Sequence, residues 1–125
     1  MNDALIRLAL IIIAAITLIS GAIQMIAGEF VLGIIATSAT PPEVHLFQTV
    51  GMFMVITGAM FLQSLFLRTD APAISLWISV QKFAAAVLVF IAYMKGYFIW
   101  LALGVAIFDA FTGLLALIFW RRLPR

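Results

Sequence analysis

The chain has 125 residues, of which 66% are hydrophobic and 10% charged, with a mean hydropathy of +1.27. A soluble domain carries about 25% charged and about 45–50% apolar residues, so the composition reads as one integral membrane domain over residues 1–125, with no nucleic-acid partner. The net charge of +2 carries little information here. The lack of cysteine excludes disulfides, thiolate metal sites, iron–sulfur clusters and thiol redox chemistry, and the single histidine excludes a bis-histidine haem within the chain.

Four apolar runs follow in order. The first, Ala4 to Ala27, exceeds the usual signal-peptide core of about 7–15 residues and is expected to be a retained helix. It carries Thr17, Ser20 and Gln24 in its later half, with Gly21 and Gly28 nearby and Glu29 beyond. The connection from Gly28 to Glu43 is the longest of the three and contains FVLGIIAT, too short to span and too apolar for a free loop. It is expected to lie in the interface or dip back against the bundle.

The second span, Val44 to Leu67, opens with SATPPEVHLFQTVG. Thr40 suits the N-cap, Pro41 the first helical position and Glu43 the third, which is a capping box with proline at N1. RTDAP, Arg68 to Pro72, makes a tight turn in which Asp70 is a candidate N-cap for the third span, Ala73 to Met94. Lys95 and Gly96 form a tighter turn into the fourth span, Tyr97 to Trp120. Crossing a ~30 Å hydrocarbon core takes about 20 helical residues, so each run is long enough. Four segments cannot close a barrel, and an open sheet would leave backbone groups unpaired in lipid. The fold class is therefore all-α, a four-helix transmembrane bundle with a longer outer connection between its first two spans.

Arg7, Arg68, Arg121, Arg122 and Arg125 fall on one side of this arrangement and Lys95 on the other. The positive-inside rule predicts N-in/C-in topology: a multi-pass protein of the cell inner membrane with both termini cytoplasmic. Tyr97, Trp100 and Trp120 sit at the ends of the fourth span, where such rings favour the headgroup level. Small-residue spots, ISGA at 19–22, ITGA at 56–59 and Thr112–Gly113, favour close helix approach and do not form a repeat.

Lys82 and Asp109 lie near the centres of the third and fourth spans. Short links make these spans antiparallel neighbours, so opposite charges share one depth. Lys82 falls on a stripe with Ser75, Ser79, Ala86 and Tyr93. Asp109 falls on one with Ala102, Ala106, Gly113 and Ala116. The two are expected to face each other across the seam, because a lone charge at the bilayer centre costs ~2.5–3.5 kcal/mol on insertion scales. Two readings stay open: a proton, ion or ligand site, or a device that fixes helix register.

The outer half holds further polar groups. Gln24, and His45 with Gln48 on one face of the second span, are candidate ligand-binding residues beside Lys82 and Asp109, and are expected to line a vestibule leading inward from outside. His45 also has metal, tetrapyrrole or quinone readings, against which stands a solvated histidine at a helix start. No catalytic residue and no metal site is expected.

IRLAL at 6–10, Gly21, QTVGMF at 48–53 and FDAFTGLLAL at 108–117 resemble the small bacterial four-helix membrane proteins grouped as DoxX-like. That family takes its name from a subunit of a thiosulfate:quinone oxidoreductase. The resemblance implies an inner-membrane accessory or quinone-associated role and carries over no catalytic residue. The leading functional expectation is a non-enzymatic accessory subunit or a module binding a lipophile such as a quinone, assembled with itself or with a larger membrane complex. The alternatives are a proton- or ion-coupled transporter centred on Asp109 and Lys82, and the membrane subunit of a quinone-linked oxidoreductase.

Overall fold

The computed structural model describes residues 2–68 and 71–124. They form five helices: α1 (Asp3–Ile26), α2 (Gly28–Ile35), α3 (Pro41–Phe66), α4 (Pro72–Met94) and α5 (Leu101–Arg122). Four are long and apolar enough to cross a membrane, and α2 is the short addition. The longest connection is thus mostly helical: FVLGII makes up most of α2, set off from α1 by a bend at Ala27 (φ −118°, ψ 39°), and Ala36 and Thr37 follow it.

The helix ends follow local chemistry. Asn2 caps α1 by accepting the Leu5 N–H at 2.8 Å. At the start of α3 the capping box of Thr40 and Glu43 is formed, with the Thr40 N–H donating to Glu43 Oε2 at 2.8 Å and Pro41 in the first turn. Asp70 lies outside the described residues, and the N-cap of α4 is Ala71. α4 ends in a Schellman motif: the Tyr97 N–H reaches the Ala92 carbonyl, the Gly96 N–H reaches the Tyr93 carbonyl, and Gly96 takes φ +78°.

The fourth long helix starts at Leu101, not at Tyr97, because the backbone of Tyr97 to Ile99 pairs with that of Ile35 to Thr37 instead of with helical partners. Thr37 N–H donates to the Tyr97 carbonyl at 3.0 Å and Ile99 N–H to the Ile35 carbonyl at 2.8 Å, an antiparallel bridge centred on Ala36 and Phe98. Thr37 Oγ1 adds a bond to the Gly96 carbonyl at 2.9 Å. This strap fastens the end of α2 to the α4–α5 turn.

Packing is strongest in two antiparallel pairs, α1 with α3 and α4 with α5. Glycines set the first. A Cβ on Gly51 would sit 2.8 Å from the Gly21 carbonyl oxygen, and one on Gly21 2.7 Å from Met54 Cβ, so these backbones touch. The second pair meets along the two stripes read from the sequence, except that Tyr93 at the end of the α4 stripe is only half-buried. Ser75, Ser79, Lys82 and Ala86 are buried on α4, as are Ala102, Ala106, Asp109, Gly113 and Ala116 on α5. Ser79 Oγ donates to the Gly113 carbonyl at 2.8 Å.

The pairs join at the end that carries both termini, where Ile6, Leu10, Phe61, Leu65, Leu115 and Phe119 form the core. Arg7 is held within this end by a 3.0 Å bond from Nη1 to the Leu65 carbonyl and by the Phe119 ring, 5.2 Å away. A 2.9 Å ion pair between Asp3 and Arg122 links the beginning of α1 to the end of α5. The outward faces are apolar, with Ile12, Ile16, Ile19, Phe53, Leu88 and Ile107 among the exposed residues. A helix that is apolar on both its buried and its outward face suits a hydrocarbon surround.

Candidate functional site

Midway along the bundle, Lys82 Nζ lies 3.1 Å from Asp109 Oδ1, with side-chain exposures of 10% and 12%. The ammonium also donates to Thr17 Oγ1 of α1 at 3.1 Å and sits 5.7 Å from the centre of the Phe108 ring. Lys82 therefore ties three helices together. The expected contact across the α4–α5 seam is present, and the hydroxyl from α1 is an addition that spacing on α4 and α5 alone does not reveal.

α3 joins the same layer. Gln81 Nε2 donates to Thr57 Oγ1 at 3.4 Å, and Thr57 in turn donates to the Phe53 carbonyl at 2.8 Å. Thr112 Oγ1 donates to the Phe108 carbonyl at 2.9 Å. All four long helices thus place a polar side chain around one gap, which Thr17, Thr57, Gln81, Lys82 and Thr112 help to line. Its volume is about 10 Å³, the scale of a single water molecule. Among the described residues no buried side-chain nitrogen or oxygen lacks a hydrogen-bond partner. In a low-dielectric interior a fully paired polar layer rigidifies the helices it joins.

The other candidate ligands lie apart from this layer. Gln24 is buried, but its Nε2 donates to the Phe47 carbonyl of α3 at 2.8 Å. It helps to stitch the α1–α3 pair together. Gln48 is half-buried beneath Gly28, where a Cβ would fall 2.5 Å from Gln48 Cγ. His45, Ser20 and Glu29 are exposed. Among the described residues no three His, Asp or Glu side chains gather as a metal ion needs.

A second space opens at the end opposite the termini. It is an open groove of about 400 Å³, not an enclosed cavity. Leu32 of α2, Phe47 and Val50 of α3, Ala92 of α4 and Phe98 of the strap form its apolar wall. Thr37, Ser38, Glu43 and Tyr97 supply a polar rim. Small-molecule sites typically enclose ~300–1,000 Å³, with mostly apolar walls and a few polar groups that fix orientation. The space exists because α3 and α4 make little contact with each other while α2 and the strap bridge across. Nothing in the spacing of the apolar runs reveals it, although the apolar character of FVLGIIAT hinted that this connection packs against the bundle.

The chain matches no family model, no curated protein and no solved structure.

Proposed function

We propose that this small integral membrane protein is a non-enzymatic lipophile-binding module, acting as an accessory subunit in a membrane complex or as a homo-oligomer. The carrying observation is the open groove of about 400 Å³ between α2, α3, α4 and the strap, apolar in its walls and polar at its rim. The DoxX-like resemblance agrees with an accessory role and makes a quinone one lipophile to look for. In this reading Lys82 and Asp109 hold the bundle together, and the ligand sits toward the opposite end from the termini.

The test is native mass spectrometry of protein extracted in mild detergent, with analysis of the organic extract. A lipophile retained at fixed stoichiometry is expected, and Val50→Trp, which sets a bulky ring on the groove wall, is expected to reduce it while leaving the protein folded. A wild-type protein that retains nothing, or a Val50→Trp variant that retains as much, contradicts the reading. A quinone in the extract moves the protein toward quinone-linked chemistry.

A second reading, a proton- or ion-coupled carrier, draws on the polar groups that all four spans supply around Lys82. It requires Asp109→Asn to abolish substrate movement in proteoliposomes.

The arginine distribution supports placement in the inner membrane with both termini cytoplasmic. The cysteine-free sequence allows a direct check with single introduced thiols. Lys95→Cys is expected to react with a membrane-impermeant reagent added outside the cell, whereas Pro124→Cys is expected to react only after permeabilisation. The reverse pattern inverts the topology.

A further inference from the structure

We infer that the groove between α2, α3, α4 and the strap takes a lipophilic ammonium: an apolar chain or ring system ending in a cationic nitrogen. The inference rests on the lipophile-binding reading and names the ligand class. Its basis is the uneven chemistry of the wall.

Glu43 is the one formally charged residue on the lining. Its Oε2 accepts the Thr40 N–H at 2.8 Å. One such bond leaves most of a carboxylate's acceptor capacity unused, since an ionised carboxylate offers about four lone-pair sites. No ion pair joins Glu43 to a basic side chain among the described residues. The carboxylate is exposed at the first turn of α3, where the groove meets the bundle end.

Three aromatic rings, Phe47, Tyr97 and Phe98, lie on the same lining. Ring faces attract cations within about 6 Å, and more strongly where water is excluded. A carboxylate and aromatic rings above an apolar floor of Leu32, Val50 and Ala92 favour a positive head over an apolar body. An anionic head would meet Glu43 as a like charge. A carbonyl head, which only accepts hydrogen bonds, gains nothing from the carboxylate.

Glu43 also holds the helix cap, and this shapes the test. Gln serves in a capping box as Glu does, so Glu43→Gln removes the charge and keeps the start of α3. The probes are decyltrimethylammonium, decyl sulfate and decanol, titrated into protein in maltoside micelles. The readout is the amide NMR shifts of Ser38, Glu43, Phe47 and Phe98. Decyltrimethylammonium is expected to shift these amides saturably, with decyl sulfate and decanol at least tenfold weaker. Glu43→Gln should weaken the cation about tenfold and leave decanol unchanged, and Val50→Trp should weaken all three effects. If the three probes bind alike and Val50→Trp weakens them, the cation preference is wrong and the lipophile site survives. If Val50→Trp changes nothing, the lipophile site is wrong and the cation preference falls with it. Equal cation affinity in wild type and Glu43→Gln also overturns the proposal.

Discussion

Lys82→Met alone is expected to lower the unfolding free energy of the protein in detergent or bicelles by about 3–5 kcal/mol, the usual cost of removing one partner from a buried ion pair. The substitution keeps the length and apolar stem of the side chain but strands Asp109 at mid-depth, where an unpaired charge costs ~2.5–3.5 kcal/mol or more. It also removes the donor that reaches Thr17. The joint replacement Lys82→Met, Asp109→Leu removes both charges and is expected to recover most of the loss, because replacing a whole buried pair by apolar side chains of similar volume is often neutral. Reversible denaturation of the wild type, the two single variants and the double variant closes the cycle. Additive losses would mean that the two groups do not interact.

Gly51→Val is expected to be the most damaging change on the α1–α3 pair. Its Cβ would lie 2.8 Å from the Gly21 carbonyl oxygen and 2.9 Å from the Met25 nitrogen. These are backbone atoms on the facing helix, so no side chain can turn aside, and the two helices must separate along much of their length. Overpacking typically costs ~1–3 kcal/mol, and the rigid neighbours here place the effect at the upper end or beyond. Gly104→Ala is the control. A Cβ there meets nothing within 4 Å, and alanine is the better helix former by ~0.8–1.0 kcal/mol in a helix interior. Thermal unfolding should show a marked fall in midpoint for the first variant and an equal or higher midpoint for the second.

The first prediction concerns a feature that the sequence carries in readable form; of the second, Gly21 within ISGA reads as a close-approach spot and Gly51 does not. Helix spacing put Lys82 and Asp109 on matching stripes at one depth, and the two side chains are in contact. Small residues on each stripe announced close approach, and the Ser79 hydroxyl bonded to the Gly113 carbonyl shows how close. The Thr40–Glu43 capping box was legible because it depends only on residues three apart.

Features that depend on neighbours distant in the chain were not legible. Tyr97 to Ile99 have the apolar character of a helix start, but their backbone groups pair with Ile35 and Thr37, some sixty positions earlier. That pairing exists only after α2 and the α4–α5 turn have been brought to one end of the bundle. Gln24 illustrates the opposite difficulty. A buried glutamine reads as a ligand candidate, yet its amide reaches the Phe47 backbone carbonyl on the neighbouring helix. Sequence spacing shows which face a polar side chain occupies, but not whether a partner backbone already satisfies it. The open groove arises from a gap between α3 and α4, and a gap leaves no periodic signature.

The ion pair at mid-depth is structural and the ligand site lies beyond it, and the double variant Lys82→Met, Asp109→Leu tests that separation most directly. Lipophile retained per protein is measured by native mass spectrometry alongside wild type. An unchanged ratio in a normally folded double variant is the predicted result. A double variant that folds as well as wild type but comes out empty would place Lys82 and Asp109 within the binding machinery and contradict the account.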